Sequence, residues 1–228
     1  MQMLEALINS PFFGLLLSIL AWCAGRWLQK KTGWMLCNPM LVAVAFIVGF
    51  LLLTGIPYSK FAVGGDMIKL MLGPVTVVLA LNIYNQRKVL GKHFVPVVAG
   101  CLAGSLTSLG SITLLCRLFG VDEVITASML PKSCTTAIAI GIAESRGGVA
   151  GIAVAGVMIA GVAGALFAPL FAKLFRVTDP VAEGTAIGAC SHALGTTRAM
   201  EIGRLQGAIS SIAICVCGII SSVIVLFI

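Results

Sequence analysis

Five stretches of this chain lack any charged residue over at least the length a helix needs to cross a bilayer: residues 6–25, 32–59, 94–116, 147–172 and 205–228. About 20 apolar residues suffice to span the ~30 Å of hydrocarbon. Five such runs in a chain of 228 residues leave little room for a water-soluble core. The sequence is therefore that of a polytopic, all-α membrane protein embedded in a lipid bilayer. The runs are continuous and do not alternate with a period of two, which excludes a β-barrel. Composition agrees, with 59% hydrophobic residues and only 15 Lys+Arg and 8 Asp+Glu. The net charge of +7 is scattered between the runs and forms no basic face, so nucleic-acid binding is not expected.

Glu5 is the only charge before Arg26, and no small-x-small site follows the first apolar run. That run is expected to remain as a span and not to be cleaved as a signal peptide. Cys23, Cys101, Cys116, Cys215 and Cys217 lie in apolar runs without the spacing of a zinc or haem site, and read as small core hydrophobes. No metal or other cofactor is expected. Short loops rich in Lys and Arg stay in the cytoplasm. Arg26, Lys30 and Lys31 after the first run, and Arg87, Lys88 and Lys92 before residue 94, put both loops inside and both termini outside. Eight spans would divide the basic residues nine inside to five outside; six spans with two re-entrant segments would divide them ten to four, Lys132 being left out of both counts. The charge rule allows either, so the expectation is six to eight spans.

The informative segments are apolar yet interrupted. Residues 66–88, 122–146 and 180–204 each begin near an acid, end at a basic residue and precede a long apolar run. An offset of 58 lays Gly73-Pro74 on Pro131-Lys132 and Gln86 on Glu144; an offset of 57 lays Glu144 on Glu201. The expected organisation is a single transmembrane domain over 1–228, with N-terminal spans in 1–65 and three units of broken helix plus span in 66–228. Residues 66–120 and 122–177 are expected to superpose. Unwound backbone at membrane depth leaves peptide groups unpaired unless it lines a polar cavity. Repeated breaks of this kind mark the binding sites of secondary transporters.

The breaks also carry the chemistry. Pro131-Lys132-Ser133-Cys134-Thr135-Thr136 places a helix-starting proline, a cation and three hydroxyls before Ala137–Glu144. A half-helix beginning here offers free amides and the positive end of its dipole to an anion, beside Lys132. A lysine at mid-membrane costs ~2.5–3.5 kcal/mol on insertion scales, which argues for use. In the third segment, Ser191, His192, Gly195, Thr196 and Arg198 form a second polar stretch; Thr196 or Thr197 is expected to cap a half-helix running to Glu201. Arg198 would then sit in a first turn, where a cation needs an anion nearby, and Glu201 would hold it or accept a coupling proton. Thr76 and Asn82 give the first segment milder chemistry in a supporting role. Ser133, Thr135 and Thr136 are expected to lie near Ser191, His192 and Thr196, forming one carboxylate site. The long runs carry small-residue faces for close packing and little else. No catalytic triad, carboxylate pair or phosphate loop is present, so enzyme activity is not expected.

Leu130-Pro131-Lys132-Ser133-Cys134-Thr135-Thr136-Ala137-Ile138-Ala139, the stretch Ser191–Glu201, Gly207-Ala208-Ile209-Ser210-Ser211, Gly73-Pro74-Val75-Thr76 and Thr54-Gly55-Ile56 resemble the LrgB/CidB family. This resemblance covers nearly the whole chain. It implies inverted repeats with a moving bundle, an antiholin-like link to murein hydrolase activity and autolysis, and a small holin-like LrgA/CidA-type membrane partner. The plastidic glycolate/glycerate translocator, a plant relative, implies transport of small monocarboxylates such as glycolate, glycerate or pyruvate. A bacterial cytoplasmic membrane location and a homo-oligomer are expected with it. Asn82, Ala137 and Thr197 depart from the family pattern, which has proline, proline and alanine there.

Overall fold

A computed structural model describes residues 8–33 and 38–227. All regular structure among them is helical. Contacts divide the chain into two compact units, residues 1–75 and 76–228. The boundary falls inside a helix, later than the change of character expected after residue 65.

The first unit contains α1 (Pro11–Thr32), α2 (Pro39–Thr54) and α3 (Tyr58–Lys69). The uncharged run 32–59 was expected to make a full span, but its helix has only 16 residues, about 24 Å at 1.5 Å per residue. The sequence sets both limits. Asn38 caps the start through its side chain with Pro39 in the first turn, and Gly55 in the left-handed region at φ 66° stops the helix ahead of Pro57. Gly14 and Gly64 let α1 and α3 touch backbone to backbone, since a Cβ on Gly64 would overlap the carbonyl of Pro11. Cys23 is exposed and not in the core.

A 14-residue helix, α4 (Leu72–Asn85), carries the unit boundary. Its Pro74 lies in the first turn, where the missing N–H costs nothing. This helix does not double back, so the pairing expected between 66–120 and 122–177 is not the one the fold repeats. The side chains of Thr76 and Asn82 lie outside the described residues.

The second unit continues with α5 (Arg87–Lys92) and α6 (Phe94–Leu118). A short α7 (Glu123–Met129), a 3-10 turn (Leu130–Ser133) and α8 (Thr136–Ser145) follow, then α9 (Ala150–Leu174), α10 (Pro180–Ile202) and α11 (Arg204–Val225). Helices α1, α6, α9 and α11 are long and apolar enough to cross a membrane. Helix α6 shows the pattern of a lipid-facing span, with Val97, Cys101, Ser105 and Leu109 buried at every fourth position while Leu102, Leu106 and Leu114 face outward.

Helix α10 is two half-helices joined at His192, whose φ of 38° and ψ of −133° break the helical ladder. The neighbours show that the chain reverses there. Gly184 lies against Gln206, and Gly188 against Ser210 and Ala213, so residues 180–191 run parallel to α11. Past His192 the order inverts: Thr196 bonds Ser210, and Met200 meets Gly207. A Cβ on Gly195 would come within 3.0 Å of Ile187, eight residues back; in a straight helix that separation is ~12 Å.

Residues 123–145 form a second hairpin. Ser128 and Ala143 both border Gly148, and Ser128 Oγ also accepts the Val149 amide at 2.7 Å. Along α8, Ile138 packs on Gly218, and Arg146 just past its end donates to the Val225 carbonyl at 3.0 Å. Thus α8 runs parallel to the far half of α11. The mouth of this hairpin sits at the Val225 end of α11, and the mouth of α10 sits at the Arg204 end. The two hairpins enter the unit from opposite ends.

Helix α9 runs antiparallel to α11, with Gly156 beside Met129 and Lys132, Gly161 beside His192 and Leu194, and Gly164 beside Ser191. The inverted repeat therefore pairs 122–174 with 180–225, each a re-entrant hairpin followed by a spanning helix. The offset of 57 read from the sequence maps Cys134-Thr135, where the first hairpin unwinds, onto Ser191-His192, where the second one does.

Candidate functional site

The two hairpin tips meet. His192 Nε2 lies 2.9 Å from the carbonyl oxygen of Lys132. A carbonyl can only accept, so Nε2 carries the hydrogen of this bond. His192 is 3% exposed and held in a backbone region that costs a non-glycine residue about 1–3 kcal/mol. Such strain persists only where the surroundings enforce it, here the α9 glycines and the opposing tip.

Residues 129–137 are not continuous helix. Pro131 sits in the 3-10 turn with ψ 17°, then Cys134 and Thr135 are extended at ψ 173° and 150° before α8 resumes at Thr136. Thr135 is the N-cap of α8, yet its side chain makes no capping bond. Its Oγ1 is buried with no hydrogen-bond partner among the described residues. The α8 amides thus stay uncapped by the residue placed to cap them.

Lys132 directs its ammonium between two hydroxyls, with Nζ 3.3 Å from Ser108 Oγ and 3.4 Å from Ser133 Oγ. Ser108 Oγ donates to Ser133 Oγ at 2.7 Å. Lys132 is half-buried, and no carboxylate pairs with it among the described residues. A half-buried cation satisfied only by hydroxyls, next to an uncapped helix start, is an unbalanced positive site.

Ser108 is not among the residues expected at the site, because the long runs read as packing faces. Its signal is present: Ser105, Ser108 and Ser111 recur at helical spacing on an otherwise apolar span.

The second polar stretch is placed differently from expectation. Thr196 does not cap a half-helix. The break lies four residues earlier at His192, so Thr196 is inside the new helix, where its hydroxyl bonds the His192 carbonyl at 2.9 Å and Ser210 Oγ at 2.7 Å. Thr197 is exposed. Arg198 is in the second turn, not the first, and pairs with Glu201 at 2.6 Å, with side chains 35% and 59% exposed. Ser191 and Gly195 are buried, and Gly195 leaves the room in which the hairpin closes. The structure therefore brings Lys132, Ser133 and His192 to one point and leaves Arg198 and Glu201 nearer the hairpin mouth.

Two comparisons with known proteins bear on this geometry. The LrgB-like family model matches residues 18–228. The chain belongs to the LrgB-like family. The antiholin-like protein LrgB of Bacillus subtilis (strain 168) is 35% identical over 217 residues, covering 95% of this chain and 94% of that protein. No solved structure matches the chain. The LrgB-like member described here is a multi-pass helical membrane protein whose matched region includes both hairpins.

Proposed function

We propose that this protein carries a small monocarboxylate, of the glycolate, glycerate or pyruvate type, across the bacterial cytoplasmic membrane by alternating access. The observation that carries the reading is the Lys132 ammonium, held only by hydroxyls among the described residues, at the meeting point of two hairpins that enter from opposite ends. An anion leaving water needs fixed charge and aligned donors to replace its hydration. Lys132 offers the charge. The uncapped start of α8 and the hydroxyls of Ser133, Thr135 and Thr136 offer donors, with Ser191 and Thr196 across the contact. Half-helix N-termini at mid-depth between inverted repeats suit an anionic substrate.

Opposed hairpins also suit the mechanism, because opening either one exposes the same point to one side of the membrane. The site lies wholly in the unit 76–228, as movement of the site as a body would require. Charge gives the orientation. Arg87, Lys88, Lys92, Lys173, Arg176, Arg198 and Arg204 cluster at the end where α6 and α11 begin, and Arg117 and Arg146 at the other. The richer end is cytoplasmic by the positive-inside rule, which suits two re-entrant hairpins in this unit and leaves Val225, at the far end of α11, outside. Arg198 with Glu201 then stands on the cytoplasmic approach, and a holin-like partner of the LrgA/CidA type works alongside.

Uptake of a panel of labelled short monocarboxylates into proteoliposomes, with and without a holin-like partner, tests the proposal. Saturable uptake of at least one member supports it. Absence of uptake for every member in both preparations returns the chain to a purely antiholin-type regulator.

A further inference from the structure

Two cavities flank the first limb of the α10 hairpin. One, of about 610 Å³, lies between that limb and α6, with His93 and Asp179 at its rim and Gly100, Gly104 and Thr185 on its walls. The other, of about 240 Å³, lies between the limb and α9, with Phe171, Glu183 and Ser191 among its lining. Ala186 and Cys190 line both. Ala182, Ala186 and Cys190 are exposed at every fourth position, whereas Ile187, Gly188 and Ala189 are buried. That spacing puts one small-residue stripe of the limb against open space, from the hairpin mouth to two residues short of its tip. Cys190 stands two residues before His192, whose Nε2 bonds the Lys132 carbonyl, and Gly104 of the cleft wall stands one turn before Ser108, which bonds Lys132 Nζ.

A stripe of this kind in a membrane helix faces either lipid or water. The cleft favours water: His93 and Asp179 bring an imidazole and a carboxylate to its mouth, and its inner end, at Gly104 and Cys190, lies about one helical turn from the hairpin tips, where Lys132 has no carboxylate partner among the described residues. Its mouth is the end rich in Lys and Arg, and the opposite hairpin has no part in its lining.

We propose that the 610 Å³ cleft is the aqueous route by which a small anion reaches Lys132 from the α6-start end, passing Ala182, Ala186 and Cys190 in turn. The structure is then the state open to that end. Gly100 and Gly104 seat Thr185 and Ala189 of the limb, and the short side chains of Ala182, Ala186 and Cys190 leave the way beside them open. The anion part of this inference rests on the proposed function; the water route does not.

The test uses the full chain with Cys23 and Cys37 replaced by serine, and the membrane-impermeant 2-sulfonatoethyl methanethiosulfonate. The reagent reacts with a hydrated thiolate to give a mixed disulfide and methanesulfinate. Applied to membrane vesicles from the α6-start end, it should label Cys190 at least tenfold faster than from the other end. In a Cys190→Ala background, Ala182→Cys and Ala186→Cys should also label from that end, and Ile209→Cys, at a fully buried α11 position outside the cleft, much more slowly. Excess glycolate should slow labelling of Cys190 but not of Ala182→Cys. Equal labelling from both ends, no labelling of Cys190 from the α6-start end, or equal rates for Ala186→Cys and Ile209→Cys would each overturn the route. Directional labelling that no monocarboxylate slows would uphold the water route and count against the anion site at Lys132.

Discussion

Gly164→Ala probes the fit between α9 and the tip of the α10 hairpin. A Cβ at position 164 would overlap Ser191 Oγ and lie 2.6 Å from Ser191 Cβ. Rotating the hydroxyl removes the first clash but not the second, because Cβ is fixed to the backbone. Ordinary contact needs 3.4–4 Å, so α9 and the tip must separate by roughly 1 Å. Overpacking of this kind costs about 1–3 kcal/mol. For a chain of this length that lowers the melting temperature by roughly 2–4 °C per kcal/mol. Ser191→Gly removes both clashing atoms and leaves only Cα at 3.4 Å, so the double variant should recover most of the loss. The assay is thermal unfolding of the four proteins in detergent, read as a double-mutant cycle, with coupling of about 0.5–3 kcal/mol expected for contacting residues. Strictly additive effects would mean that α9 and the tip do not touch, and would remove the packing said to hold His192 in its strained conformation.

Three further outcomes follow from named contacts. His192→Ala loses the bond to the Lys132 carbonyl and should destabilise the tips by about 0.5–1.5 kcal/mol, whereas His192→Gly recovers part of this by relieving the positive φ; a glycine variant less stable than the alanine one would refute the strain. Arg146→Gln removes a charged donor from the last turn of α11 and should cost about 1.5–3 kcal/mol in unfolding experiments; no change would show that the guanidinium is not held there. Arg198→Gln breaks an exposed pair and should change stability by less than about 1 kcal/mol, while lowering monocarboxylate uptake less than Lys132→Gln does. Uptake falling more for Arg198→Gln would move the anion site toward the hairpin mouth.

The chemistry of the breaks was legible because helix punctuation is local. Pro131 and the hydroxyls after it do interrupt the ladder, and residues 191–192 break the other hairpin. The direction of each limb was not legible, since a kinked span and a re-entrant hairpin share the same apolar pattern; only contacts such as Gly195 with Ile187 tell them apart. The repeat was found but paired one unit too early. Gly73-Pro74 imitates Pro131-Lys132 in residue type, while proline in the first turn of α4 starts a helix without breaking one. Thr196 was misassigned as a cap because hydroxyls bond equally well to the carbonyl four residues back inside a helix. Ser108 escaped notice because its role depends on a neighbour 25 residues away.

The central claim is that Lys132 at the hairpin contact binds the transported anion, and labelled glycolate uptake by wild-type and Lys132→Gln proteoliposomes tests it most directly. Losing a hydrogen-bonded charge partner costs about 2–5 kcal/mol, or roughly 30-fold and upwards in affinity. The account predicts saturable uptake by the wild type and at least that loss in the variant, with unchanged insertion and melting within a few degrees. Wild-type uptake rates in the Lys132→Gln protein would contradict it.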